Sequence, residues 1–255
     1  MEETPSVLIK ECTSYINKLR KQCVSRMYNR EYSQVAKHPF KVMSFVNAMN
    51  WRMYETSQAA VKLMKQDLVI PSLCLVRAAW EDMALTYELA QIVNSSCENQ
   101  LIAENLDDSL MCMQFANRFD KGNRYVSEEH YESFKDYKAK NILTLVQKVE
   151  KAFPQTKDFY STICEFVHPN GDGVGGSYSR LEEETDTTFY GPQFNRKSDL
   201  FPAFITTLSS ALMLYLQFVE SINANIIEFA RLCEDSLRKK VSSGGDLKRR
   251  KDDTR

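Results

Sequence analysis

Two short segments of this chain carry residues whose types and spacing can do chemistry. In LVRAAWEDMALTYEL, Arg77 and Glu81 lie four residues apart, so they share one face of any helix formed there. Their neighbours Leu75, Val76, Ala78, Ala79, Trp80, Met83 and Leu85 are apolar. A charged pair in such surroundings is costly to bury unless both charges are paired and hydrogen-bonded. The pair reads either as a structural ion pair or as a guanidinium steadied by Glu81 and aimed at a phosphate, whose oxygens match the guanidinium fork. Glu88 continues the same stripe.

The second segment is EFVHPNGDGVGG, residues 165–176. Glu165 and His168 are three apart and can meet on one helical face. A helix C-terminus at His168 and a neighbouring carboxylate both favour a protonated imidazole, a group suited to moving protons near neutral pH. The plainer reading is a histidine that ties a helix end to the core. Pro169 stops the helix and Asn170-Gly171 can supply left-handed backbone, so termination alone accounts for those three residues. The following GDGVGG holds four of the chain's eight glycines. A phosphate-cradling loop needs a preceding strand, a following helix and usually a lysine. Here a helix precedes, no lysine follows, and Asp172 adds the wrong charge, which leaves a hinge leading into a loop as the reading.

Other chemistries find little support. Seven scattered cysteines form no C-x-x-C pair, so no zinc site is expected. Three histidines (38, 130 and 168) make no H-E-x-x-H, no G-x-S-x-G is present, and neither a metal nor a cofactor is implied. With 33 basic and 34 acidic residues the net charge is −1, so no global field draws the chain to nucleic acid and any anion site must be local. The cluster Lys248-Arg249-Arg250-Lys251 is diluted by Asp246, Asp252 and Asp253. The acidic start MEETPSVLIK lacks a signal-peptide layout, and together with the cysteine usage it points to a reducing, cytoplasmic location.

The elements that must position these residues are helical. Scarce glycine and proline favour long helices over a turn-rich β fold. Leu8, Cys12, Tyr15, Leu19 and Cys23 mark one helical face over 5–28. Further helices are predicted from Pro39 to about Gln66, over 67–93, over 98–119, from Ser127 to Phe153, over 156–168 and, capped by Asp199, over 199–239. Residues 171–199 lose helical periodicity and read as a polar lid or a small hairpin with a turn at YGPQ. The expected fold is an all-α, multi-helix bundle of about seven helices, forming one domain over 1–240, with a disordered polar tail at 241–255. The segment 200–219 lacks charge over a bilayer-spanning length, but Thr206, Thr207, Ser209, Ser210 and Gln217 favour a buried central helix over a membrane span.

PSLCLVRAAWEDMALTYEL followed by FYSTICEFVHPNGDGVGGSY resembles a broad bacterial family of helical proteins that share an Arg-x-x-x-Glu helix and a Ser-Glu-Phe-x-His-Pro segment. The resemblance spans roughly residues 40–230. Arg77, Glu81, Tyr160, Glu165, His168, Pro169 and Asn170 occupy the signature positions, with Cys164 in place of serine. That family is similar to HEPN-like domains, many of which are metal-independent ribonucleases of phage defence and toxin–antitoxin systems and work as dimers.

The resemblance implies His168 and Arg77 as catalytic groups, with Glu165 and Glu81 orienting them. Asn170, Tyr160 and Tyr178 become candidate binding residues. The implied partners are RNA, a second copy of the chain and a protein encoded nearby. The local Arg-x(4–6)-His spacing of HEPN nucleases is met by Arg124 and His130; positions 161–163, upstream of His168, are Ser, Thr and Ile. Two alternatives stand beside the ribonuclease reading: a non-catalytic helical interaction module, and an effector associated with a membrane through 200–219.

Overall fold

The structure is a computed structural model that describes residues 5–114, 129, 140–192 and 197–252. It is all-α, with eight helices among the described residues and one two-stranded hairpin. The helices are α1 (Pro5–Gln22), α2 (His38–Lys65), α3 (Val69–Glu98), α4 (Leu106–Gln114), α5 (Ile142–Ala152), α6 (Phe159–Val167), α7 (Gly176–Tyr178) and α8 (Lys197–Asp252). Strands β1 (Ser179–Glu182) and β2 (Thr187–Tyr190) pair antiparallel between α7 and α8.

The chain packs as two compact units. The first comprises Met1–Cys23, Asn47–Tyr87 and Ile142–Phe218, and it contains both singled-out segments. Of the face expected in the first helix, Cys12, Leu19 and Cys23 are buried and Leu8 and Tyr15 are half-buried, while Ile16, outside that set, is buried beside them. Trp80 is fully buried on α3 and meets the edge of Phe159 at 5.9 Å between ring centroids. Tyr87, Phe153 and Phe218 form an aromatic triangle with centroids 5.0–6.2 Å apart. Tyr215, also fully buried, donates to Asn50 Oδ1 at 2.8 Å, which satisfies a phenol that burial would otherwise penalise.

The second unit comprises Val24–Val46, Glu88–Asn141 and Val219–Arg255. Val42, Leu89, Val93, Leu110, Ile222 and Phe229 are buried in it. A polar ladder crosses this packing, with Asn94 bonded to Ser221 at 2.9 Å and Asn225 donating to Asn94 at 2.9 Å. Glu88, the last residue of the α3 stripe, accepts from Lys140 Nζ at 2.8 Å.

Several boundaries differ from the sequence reading. Helix α3 runs five residues beyond Val93, to Glu98, and the expected helix over 98–119 begins only at Leu106. The break comes from left-handed backbone at Gln100, where the Leu101 N–H turns back to the Ser96 carbonyl and the side-chain amides of Asn99 and Gln100 donate to Ser95 and Cys97. Lys140 and Asn141 precede α5 rather than continuing a helix from Ser127. The expected stop at Gly122 and the Arg124–His130 pair lie outside the described residues. Helix α8 starts at Lys197, so Asp199 sits in its first turn rather than at its cap. It continues as helix through 241–252, the segment expected to be a disordered tail.

Residues 171–178 are also helical rather than an open hinge, as a π turn (Gly171–Gly175) followed by α7. The hairpin is present, but its turn falls at 183–186 instead of at YGPQ. Thr187, Thr188, Phe189 and Tyr190 favour extended backbone and form β2, and Gly191, at φ 153, ends the strand. Helix α8 is long and apolar enough to cross a membrane, yet 61% of its most apolar window is buried inside the protein.

Candidate functional site

Arg77 and Glu81 meet as their spacing predicts: Arg77 Nε donates to Glu81 Oε1 at 3.0 Å. Tyr160 of α6 closes the triangle, donating its hydroxyl to Glu81 Oε1 at 2.7 Å and accepting from Arg77 Nε at 3.3 Å. The guanidinium carbon lies 5.7 Å from the Tyr160 ring centroid, within cation–π reach. Burial, reinforced by the hydrogen bond to Glu81, pushes the Tyr160 phenol well above its ordinary range and keeps it a donor. Burial works against the Arg77 charge, and the bonds to Tyr160 and Glu81 outweigh it.

The arginine is only half committed. The Arg77 and Glu81 side chains are each 30% exposed. Among the described residues neither Nη of Arg77 makes a hydrogen bond, so the terminal fork that binds carboxylate or phosphate bidentately is open. Cys164, one turn after Tyr160 on α6, faces the same charges. Burial raises its thiol and Arg77 opposes that rise, so it remains a neutral thiol. Replacing Tyr160 with Phe removes one donor from Glu81 and one acceptor from Arg77. We expect a loss of about 1–2 kcal/mol in urea denaturation, with the fold intact.

The second segment departs from expectation. Glu165 does not meet His168; it accepts from Asn170 Nδ2 at 3.2 Å. The carboxylate is drawn past the helix end because Pro169 forces extended backbone on His168 (φ −70, ψ 145), which takes the imidazole off the α6 face. The imidazole is exposed and has neither a hydrogen bond nor an ion pair among the described residues.

Asn170, proposed as a binding residue, has a structural duty: its Oδ1 accepts from Gly173 N at 2.8 Å and caps the π turn. Tyr178 ends α7, and its carbonyl accepts from Gly191 N at 2.8 Å. Arg77 and His168 are joined by no hydrogen bond or ion pair. Tyr160 and Cys164 share one face of α6, whereas His168 lies just beyond the helix end in extended backbone.

The most deeply buried carboxylate among the described residues escaped the sequence reading. Asp82 has a side chain only 8% exposed, and both its oxygens accept from Arg52 Nε at 2.9 Å. Burial raises its pKa to about 6 against the pull of Arg52. The residues are thirty positions apart, and no local spacing signals their contact. In the second unit His38 Nε2 lies 3.3 Å from Asp107, which also pairs with Lys41. Burial lowers the His38 pKa despite that carboxylate. No group of metal-ligating side chains occurs among the described residues.

The chain matches no family model, no curated protein and no solved structure at a significant level.

Proposed function

We propose that this chain is an HEPN-like helical effector that binds RNA phosphate through Arg77 and cleaves the RNA without a metal. The observation that carries the reading is the half-committed guanidinium. Its Nε is fixed by Glu81 and Tyr160, while its two Nη groups remain open at a partly exposed surface. A positively charged fork held in place ahead of substrate stabilises charge that develops on a phosphoryl group at little reorganisation cost.

In the proposed reaction the His168 imidazole takes the proton of a ribose 2′-hydroxyl as that oxygen attacks the adjacent phosphorus. The bond to the 5′-oxygen breaks, that oxygen takes a proton from a solvent water, and the hydroxide left behind takes the proton from the His168 imidazolium, which leaves a 2′,3′-cyclic phosphate and a 5′-hydroxyl with the imidazole neutral again. Glu81 and Tyr160 act as positioning residues, holding the guanidinium plane.

The test is a cleavage assay in EDTA with end-group analysis of the products. His168→Ala and Arg77→Ala are each expected to lower the rate at least about 100-fold. Because the His168 side chain is exposed and unpartnered, His168→Ala should leave thermal stability within about 0.5 kcal/mol of wild type. Activity that survives His168→Ala, or diverse RNAs left intact by the wild-type chain, rejects the ribonuclease reading.

One observation favours the second reading, a non-catalytic interaction module. Glu165, which was to orient His168, is bonded to Asn170. On that reading RNA stays intact and the 171–199 segment, with its exposed hairpin, contacts a protein partner.

A further inference from the structure

The β1–β2 hairpin stands out because almost nothing covers it. Seven of its eight strand residues are exposed and the eighth, Ser179, is half-buried. Leu181 is 55% exposed, Phe189 46% and Tyr190 77%. A two-stranded hairpin is marginal in water without a third strand or a packing partner. Among the described residues the sheet has no third strand, so the outer edge of β1 offers backbone groups for pairing.

The direction of those groups follows from the register. Tyr178 and Gly191 exchange a ladder bond, the Gly191 N–H donating to the Tyr178 carbonyl at 2.8 Å. Hydrogen-bonding positions alternate along an antiparallel pair. Arg180 and Glu182, opposite Phe189 and Thr187, therefore point their backbone groups inward to β2, whereas Ser179 and Leu181 point theirs outward.

The sequence along that outer edge, Arg180-Leu181-Glu182, is self-complementary under a two-fold rotation. An antiparallel pairing centred on Leu181 sets the outward N–H and C=O of Leu181 against those of a second Leu181. Each Arg180 then stands directly opposite a Glu182, sharing a face of the sheet, where opposite charges attract. On the other face the two Leu181 side chains meet beside the two Tyr190 rings. Leu181 meets its own copy, as an isologous contact requires, while Ser179 falls opposite Glu183 of the turn, so the backbone pairing is confined to Leu181.

We propose that β1 is a homodimerisation edge: two copies join β1 to β1 into a four-stranded antiparallel sheet, with Leu181 on the two-fold axis. The occupant is a second copy because the charge pattern complements itself. The inference does not depend on the ribonuclease reading. A four-residue edge is smaller than a standard stable interface, so the association is weak and concentration-dependent.

The test uses the full chain in sedimentation velocity across a concentration series. Wild type is expected to shift from monomer to dimer as concentration rises. Arg180→Glu and Glu182→Arg each place like charges across the axis, and each alone should stay monomeric. Mixed in equal amounts they restore opposite charges at both positions and should recover the dimer, a rescue that a misfolded hairpin cannot produce. Leu181→Pro should also abolish the dimer, since it removes an outward N–H and spares the β1–β2 ladder. A wild type that is monomeric at every concentration overturns the proposal. So do single variants that dimerise like wild type, or a mixture that stays monomeric.

Discussion

Gly173→Ala is expected to lower stability by about 2–3 kcal/mol in chemical denaturation, whereas Gly171→Ala and Gly175→Ala change it little. A Cβ built on Gly173 falls 2.0 Å from the His168 carbonyl oxygen and 2.8 Å from that of Phe166. Both obstacles are backbone at the end of α6, and neither can rotate away as a side chain would. The chain approaches this closely because the π turn folds back over the helix end, held by the Asn170 side chain on the Gly173 N–H and by the Val174 N–H on the Asn170 carbonyl. Around Gly171 and Gly175 nothing lies within 4 Å of the added carbon. Equal losses in all three variants would show that the run needs flexibility rather than this one close approach. The same clash adjoins His168, so Gly173→Ala should also disturb any activity that depends on that imidazole.

The second large effect concerns pH. Asp82 is expected to make the chain less stable as pH rises from about 4 to about 6. Its carboxyl moves from an ordinary value of 3.8 to about 6 on folding, with burial as the main cause. Between those values the native state binds the proton more tightly than the unfolded chain, so the stability contribution falls as pH rises through the window. The full displacement corresponds to about 3 kcal/mol, all of it lost by neutral pH. Asp82→Asn mimics the protonated form. It should flatten this part of the stability curve and raise stability at pH 7, because the mostly exposed Arg52 can return to water without its partner. Urea denaturation at pH 4, 5, 6 and 7 measures both effects. A curve for Asp82→Asn with the same slope as wild type would assign the pH dependence to other groups.

Much of the helical framework was legible from residue spacing. The steps of four and three in α1 placed Cys12, Leu19 and Cys23 in the core but not Ile16, and Arg77 and Glu81 met because an i,i+4 contact is a property of any helix. The end of α6 could be read from Pro169, whose ring excludes helical backbone at His168. That same steric effect overturned the Glu165–His168 pairing, since the spacing rule holds only while both residues remain in the helix. The hairpin was expected in the right region with the wrong turn, because four threonine and aromatic residues outweighed a nearby Gly-Pro.

The sequence by itself determined an all-α chain, its main helical faces, the Arg77–Glu81 contact and a helix end at His168. Each rests on interactions within one turn of backbone. Tertiary structure alone decided that Tyr160 would close on Glu81 from seventy-nine residues away, that Asp82 would be buried against Arg52, and that Gly173, unlike Gly171 and Gly175, would touch the backbone behind it. Those contacts depend on how separate helices and turns pack. Packing depends on the summed shapes of many side chains, which spacing along one segment does not encode.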